Sequence, residues 1–121
     1  MTTENWQDHT RQLSAMLRDL RAGSPEVMKA FSAMAQSALA PKALDTKTKE
    51  LIALAIGVAT RCDDCIAFHS KAAVEHGATD EEVFETLAMT VYMGAGPSVM
   101  YAAHALQAYR QFAELKQPKV P

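Results

Sequence analysis

Residues 45–69 read Asp45-Thr-Lys-Thr-Lys-Glu50-Leu-Ile-Ala-Leu-Ala55-Ile-Gly-Val-Ala-Thr60-Arg-Cys-Asp-Asp-Cys65-Ile-Ala-Phe-His69. Asp45 is suited to cap a helix over about Thr46 to Thr60, because its carboxylate can take up a first-turn N–H. After Glu50 that helix is apolar nearly all round, with Leu51, Ile52, Leu54, Ala55, Ile56, Val58 and Ala59. Such a helix is expected to be buried on most sides. The chain then turns around Arg61, and a second helix begins near Cys62 and runs to His76, with Gly77 as its stop. Helical periodicity puts Glu50, Leu54, Gly57 and Arg61 on one stripe of the first helix. Gly57 costs that helix about 1 kcal/mol against alanine, which points to a close approach by another element. If the two helices pack antiparallel, Glu50 and His69 lie at similar heights.

Helical spacing extends outward in both directions, and no stretch alternates with period two for long enough to predict a strand. Trp6, Thr10, Leu13, Leu17 and Leu20 form a first stripe, and Gly23-Ser24-Pro25 ends that helix and starts the next. Val27, Phe31, Met34 and Ala38 give a second helix closed by Pro41. Thr79-Asp-Glu-Glu82 fits a capping box, opening a helix that carries Val83, Leu87 and Val91 inward. Gly94-Ala-Gly96-Pro97 is the next break, and Pro97 suits the first turn of a last helix through Val99, Ala103, Leu106 and Arg110. The fold class is therefore all-α, with about six helices in a single domain over residues 1–121. Cores rich in alanine and methionine with few aromatics bury limited area in a short chain. Together with the apolar helix, this predicts a homo-oligomer.

The chain has 49% hydrophobic and 21% charged residues, which is globular rather than disordered composition. Its formal net charge is −2 and its basic residues are scattered, so nucleic acid is not an expected partner. The longest apolar run, Leu51 to Ala59, is far short of the ~20 residues that span a bilayer. The first residues lack the basic start and apolar core of a secretory leader, so no membrane association and a cytoplasmic location are expected. Two cysteines three residues apart point to redox or metal chemistry rather than to a disulfide scaffold.

Thiols react as thiolates, so a reactive cysteine needs a nearby device that favours or creates the anion. Cys62 and Cys65 lie at a helix start, where backbone N–H groups and the dipole favour negative charge. Their i,i+3 spacing lets the sulfurs join as a disulfide, and His69 lies one turn from Cys65 on the same face. Glu50 paired with His69 would form a carboxylate–imidazole relay aimed at a cysteine. Asp63 and Asp64 oppose thiolate formation unless they face solvent, and Arg61 partly offsets them. A zinc site of Cys62, Cys65, His69 and His76 is disfavoured, since one helix cannot wrap four ligands around an ion. His76 reads as a dipole partner near Gly77. His104, with Tyr101, is a candidate to line the same pocket; His9 lies on the polar side of the N-terminal helix that carries Trp6, with no evident role.

Glu50, eleven residues, Cys62-x-x-Cys65, three residues and His69 together resemble the signature of AhpD-like alkylhydroperoxidases in the carboxymuconolactone decarboxylase family. The resemblance covers about Pro41 to Tyr109. It implies an all-α fold assembling as trimers or hexamers, and a peroxidase in which Cys65 attacks the peroxide and Cys62 resolves it as a disulfide. Glu50 and His69 would then be the relay, acting through a water. A small peroxide is the implied substrate, and a dithiol or thioredoxin-like protein the implied reductant. No cofactor and no metal are implied. One departure is that the best-known members carry a histidine just before the second cysteine, where this chain has Asp64. The alternatives are a disulfide redox or sensor module without peroxidase activity, and a decarboxylase-like member that does not use the cysteines. Few polar residues are available to grip a substrate, so a small or apolar peroxide in an apolar pocket is the expected fit.

Overall fold

The computed structural model describes residues 5–116, and their regular secondary structure is all helical. Five helices follow in order: α1 Trp6–Gly23, α2 Pro25–Leu39, α3 Thr46–Ala59, α4 Asp63–Glu75 and α5 Asp80–Lys116. The fifth is broken at Ala95, whose φ of 55° and ψ of −143° are not helical. The interruption falls in the expected Gly94–Pro97 segment. Pro97 has no N–H for the carbonyl one turn back, and its ring crowds that carbonyl. The expected fifth and sixth helices are thus the two arms of α5.

The expected caps form. Asp45 Oδ1 accepts from Thr48 N at 2.8 Å; the Thr48 hydroxyl and amide hold the Asp45 carboxyl below its ordinary range. Thr79 and Glu82 make the reciprocal capping box, with Glu82 Oε1 accepting from Thr79 N at 2.9 Å and Thr79 Oγ1 from Glu82 N at 3.1 Å. Glu82 also meets Lys47 Nζ at 2.8 Å, joining the starts of α5 and α3. That ion pair lowers the Glu82 pKa and raises that of Lys47.

The core lies where α3, α4 and α5 pack on one another, built from Leu54, Val58, Ile66, Ala67, Val83 and Ala105, all fully buried. Small side chains let these helices approach closely, as Gly57 shows. A Cβ built there would stand 3.2 Å from Cys65 Cβ and 3.5 Å from the Ile66 nitrogen. The close neighbour expected at Gly57 is therefore α4 itself. Trp6, buried at the start of α1, donates its backbone N–H to Gln111 and its indole N–H to Gln107 at 2.8 and 3.0 Å, fastening α1 to α5.

Hydropathy misplaces several faces. The stripe of α1 buries only Trp6 and Thr10, and Leu20 is exposed. None of α2 is buried: Val27, Phe31 and Met34 are open to solvent. The apolar helix α3 is covered on one side only, and Ile52 and Ile56 remain exposed. Val91 is exposed as well. In the second arm of α5, Val99, Ala103 and Arg110 face out, whereas Ser98, Ala102, Ala105, Tyr109 and Phe112 are buried. That is one residue, or about 100° of rotation, from the expected stripe. Close packing there selects small alanines, so the buried face is not the most hydropathic one. No helix among the described residues is long and apolar enough to cross a membrane.

Candidate active site

The site begins at the end of α3. Gly57 and Val58 carbonyls accept from Cys62 N at 2.9 Å and Arg61 N at 3.1 Å, which closes a Schellman turn with Arg61 in the left-handed region at φ 57°. That turn reverses the chain, delivers Cys62 as the N-cap of α4, and lays α4 back along α3. Cys62 and Cys65 are joined as a disulfide, their Cα atoms 5.2 Å apart. Cys62 Sγ accepts from Cys65 N at 3.1 Å, so one sulfur sits on the helix N-terminus. Both cysteines are half-buried.

The antiparallel packing brings Glu50 and His69 together as the spacing predicts. His69 Nδ1 lies 2.7 Å from Glu50 Oε1, and Glu50 is only 5% exposed. A buried carboxylate is costly without a partner, and here an imidazole supplies one. With the carboxylate ionised, Nδ1 is the donor of this bond, which leaves Nε2 of a neutral ring as a proton acceptor. The histidine is half-buried and lies one turn along α4 from Cys65.

The two aspartates between the cysteines do not simply face solvent. Asp64 Oδ1 is 2.6 Å from His9 Nε2, and Asp63 Oδ1 is 3.0 Å from His104 Nδ1. His9 stacks on Trp6 with ring centroids 5.4 Å apart, and His104 lies 4.9 Å from the Tyr101 ring. His104 therefore reaches the cysteine turn as considered above. His9 corrects the sequence reading, which found no role for it. Its contact is made over 55 residues of sequence, and the only local signal was a pair of acids beside two thiols. His76 is exposed at the C-cap of α4, away from the helix start that carries the cysteines.

An apolar groove of about 470 Å³ runs along the outer side of α3, lined by Ile52, Ile56, Met89 and Met93 among others. Neither cysteine nor His69 lines it, so it is not an apolar substrate pocket at the thiols. Among the described residues, no group of three or more His, Cys, Asp or Glu side chains is arranged to hold a metal ion.

Residues 25–108 match the model of the carboxymuconolactone decarboxylase family. The fold is similar to that of a carboxymuconolactone decarboxylase family protein from Legionella pneumophila, solved in its apo form. The two are 49% identical with a TM-score of 0.89, over 92% of this chain and 99% of that one. A family protein from Thermotoga maritima, with a suggested part in an antioxidative response, is 29% identical with a TM-score of 0.80, over 89% and 92%. An uncharacterised protein of Cupriavidus necator is 42% identical over 87 residues, which is 72% of this chain and 77% of that protein.

Proposed function

The chain belongs to the carboxymuconolactone decarboxylase family, and from that premise we propose that it is a thiol-dependent peroxidase of the AhpD-like kind. The observation that carries this reading is the 2.7 Å bond from His69 Nδ1 to the buried Glu50 carboxylate, one turn from a redox-competent cysteine pair. In the reduced protein, His69 Nε2 takes the Cys65 proton through a water, and Glu50 holds the imidazole and stabilises its positive charge. The Cys65 thiolate attacks the terminal peroxide oxygen. The O–O bond breaks, the released alkoxide takes a proton to become an alcohol, and Cys65 becomes a sulfenic acid. Cys62 then attacks that sulfur, expels water and forms the disulfide. A dithiol or thioredoxin-like reductant returns two electrons by exchange and restores both thiols.

The test is consumption of tert-butyl hydroperoxide by the dithiol-reduced protein, alongside Cys65→Ser and Cys62→Ser. Turnover that vanishes in Cys65→Ser is expected. Undiminished turnover in that variant would overturn the assignment. Glu50→Gln, which keeps the shape but removes the charge, is expected to slow turnover by about 10²-fold, the lower range for losing acid–base assistance.

A second reading has its own observation. Cys62 Sγ, not Cys65 Sγ, is the sulfur that accepts the helix N-terminal N–H, which favours Cys62 as the first nucleophile of a disulfide-exchange protein. Cys62→Ser would then abolish reduction of a small disulfide while peroxide turnover is absent in every variant. Under either reading the protein works as a homo-oligomer, because Val27, Phe31 and Met34 of α2 and Ile52 and Ile56 of α3 stand uncovered in one chain. A monomer mass by light scattering at micromolar concentration would count against it.

A further inference from the structure

We propose that His9 and His104 are positioning residues for the cysteine pair, each engaging one aspartate of the Cys62–Cys65 turn and drawing its negative charge away from the sulfurs so that a thiolate can form there. Asp63 and Asp64 directly follow Cys62 and precede or adjoin Cys65. A carboxylate beside a thiol disfavours the thiolate, because like charges oppose each other at short range. An unassisted turn would hold two negative charges before any thiol ionises.

The tertiary structure meets each acid with an imidazole from a different helix, at 2.6 Å from α1 and 3.0 Å from α5. These helices are held in place independently of the aspartates. Trp6 is buried, bonded to Gln107 and Gln111 of α5, stacked on His9 and 6.4 Å from the His104 ring. One tryptophan thus braces both imidazoles around the start of α4. With a neutral imidazole each pair carries one negative charge dispersed through an N–H bond; with an imidazolium it carries none. Among the described residues, other charged and titratable groups near the turn include Arg61, next to Cys62, and the Glu50–His69 pair between α3 and α4. Both aspartates are half-exposed, at 58% for Asp64 and 43% for Asp63, so the effect is screened by salt.

This rests on the proposed function only in taking Cys62 and Cys65 as the reacting thiols, and its test involves no peroxide. The rate of iodoacetamide alkylation of the reduced protein at neutral pH and low salt reports the thiolate fraction directly. His9→Gln and His104→Gln are each expected to slow alkylation by about three- to tenfold, the effect of one partly screened charge nearby. Asp64→Asn is expected to speed it, and His9→Gln made in the Asp64→Asn background is expected to change nothing further. These differences should shrink in high salt. If Asp64→Asn instead slows alkylation as His9→Gln does, the contact only docks α1 and the proposal fails. Unchanged rates in all variants overturn it equally. Since His9 also stacks on Trp6, His104→Gln with Asp63→Asn repeats the test from another helix should His9→Gln unfold. Loss of peroxide turnover alone, with this alkylation pattern intact, would refute the peroxidase and leave the positioning role standing.

Discussion

The turns that end α3 and α4 have the same hydrogen bonds and different residues at the same strained position. After α4, Gly77 N and Ala78 N donate to Val74 and Ala73 carbonyls at 3.0 and 2.9 Å, with Gly77 at φ 82°. After α3, Arg61 and Cys62 repeat the pattern onto Val58 and Gly57, with Arg61 at φ 57°. Glycine occupies the left-handed region without penalty, whereas an L-residue with a side chain loses about 1–2 kcal/mol there. The relaxed turn is far from the chemistry, and Tyr109 and Lys116 fasten it through the Ala78 and Val74 carbonyls. The strained turn leads directly into Cys62. A glycine at position 61 would relieve the strain but remove the cation that precedes Asp63 and Asp64. Strain is thus present at the turn that delivers the cysteines, and absent where the turn only has to reverse the chain.

The costliest single change at these turns is expected at Gly57, whose carbonyl closes the strained one. Gly57→Val pushes a branched side chain into Cys65 Cβ, so a loss of about 3 kcal/mol in urea unfolding is expected. Stability within experimental error of the wild type would mean that the α3–α4 approach is not tight. An exchange of residue types between the turns sharpens the contrast. Gly77→Ala has open space around it, so its cost is conformational alone, about 0.5–1 kcal/mol once the lower entropy of the unfolded alanine chain is subtracted from the left-handed strain. Arg61→Gly is expected to gain about 0.5 kcal/mol, strain relief less the greater entropy of the unfolded glycine chain. Equal signs for the two would remove the distinction between the turns.

A separate effect concerns how the relaxed turn is fastened. The Tyr109 hydroxyl lies 3.0 Å from the Ala78 carbonyl and 2.9 Å from Asp80 Oδ1, and burial, then the Asp80 hydrogen bond, push its pKa up from 10.0 to about 12. A pKa raised in the folded state means that the folded protein binds the proton more tightly. The stabilisation is therefore complete below pH 10 and lost as pH rises from 10 towards about 12. Tyr109→Phe should cost about 1 kcal/mol at neutral pH and flatten that alkaline decline. A decline of unchanged slope would assign it to other groups.

Most of the helices and caps were legible because their causes are local. Asp45, Thr79 with Glu82, Gly23-Ser24-Pro25 and Gly77 all act within a few residues of where they stand. Glu50 and His69 were also legible, because one tight turn at Arg61 fixes two helices antiparallel and periodicity does the rest. The faces of α2 and of the second arm of α5 were not, since burial depends on which neighbour arrives and how closely. Alanines buried by close packing look no different in sequence from alanines on a surface.

Local residue order is enough to specify an all-helical chain with a cysteine pair at a helix start and a glutamate–histidine pair one turn away. Those features follow from backbone hydrogen bonding, side-chain spacing and capping, which operate over distances of one or two turns. Long-range packing is what sets His9 and His104 on Asp64 and Asp63, contacts that span 55 and 41 residues. Such contacts exist because Trp6 and the alanine-lined arm of α5 pack against the core, and no local pattern records where distant helices come to rest.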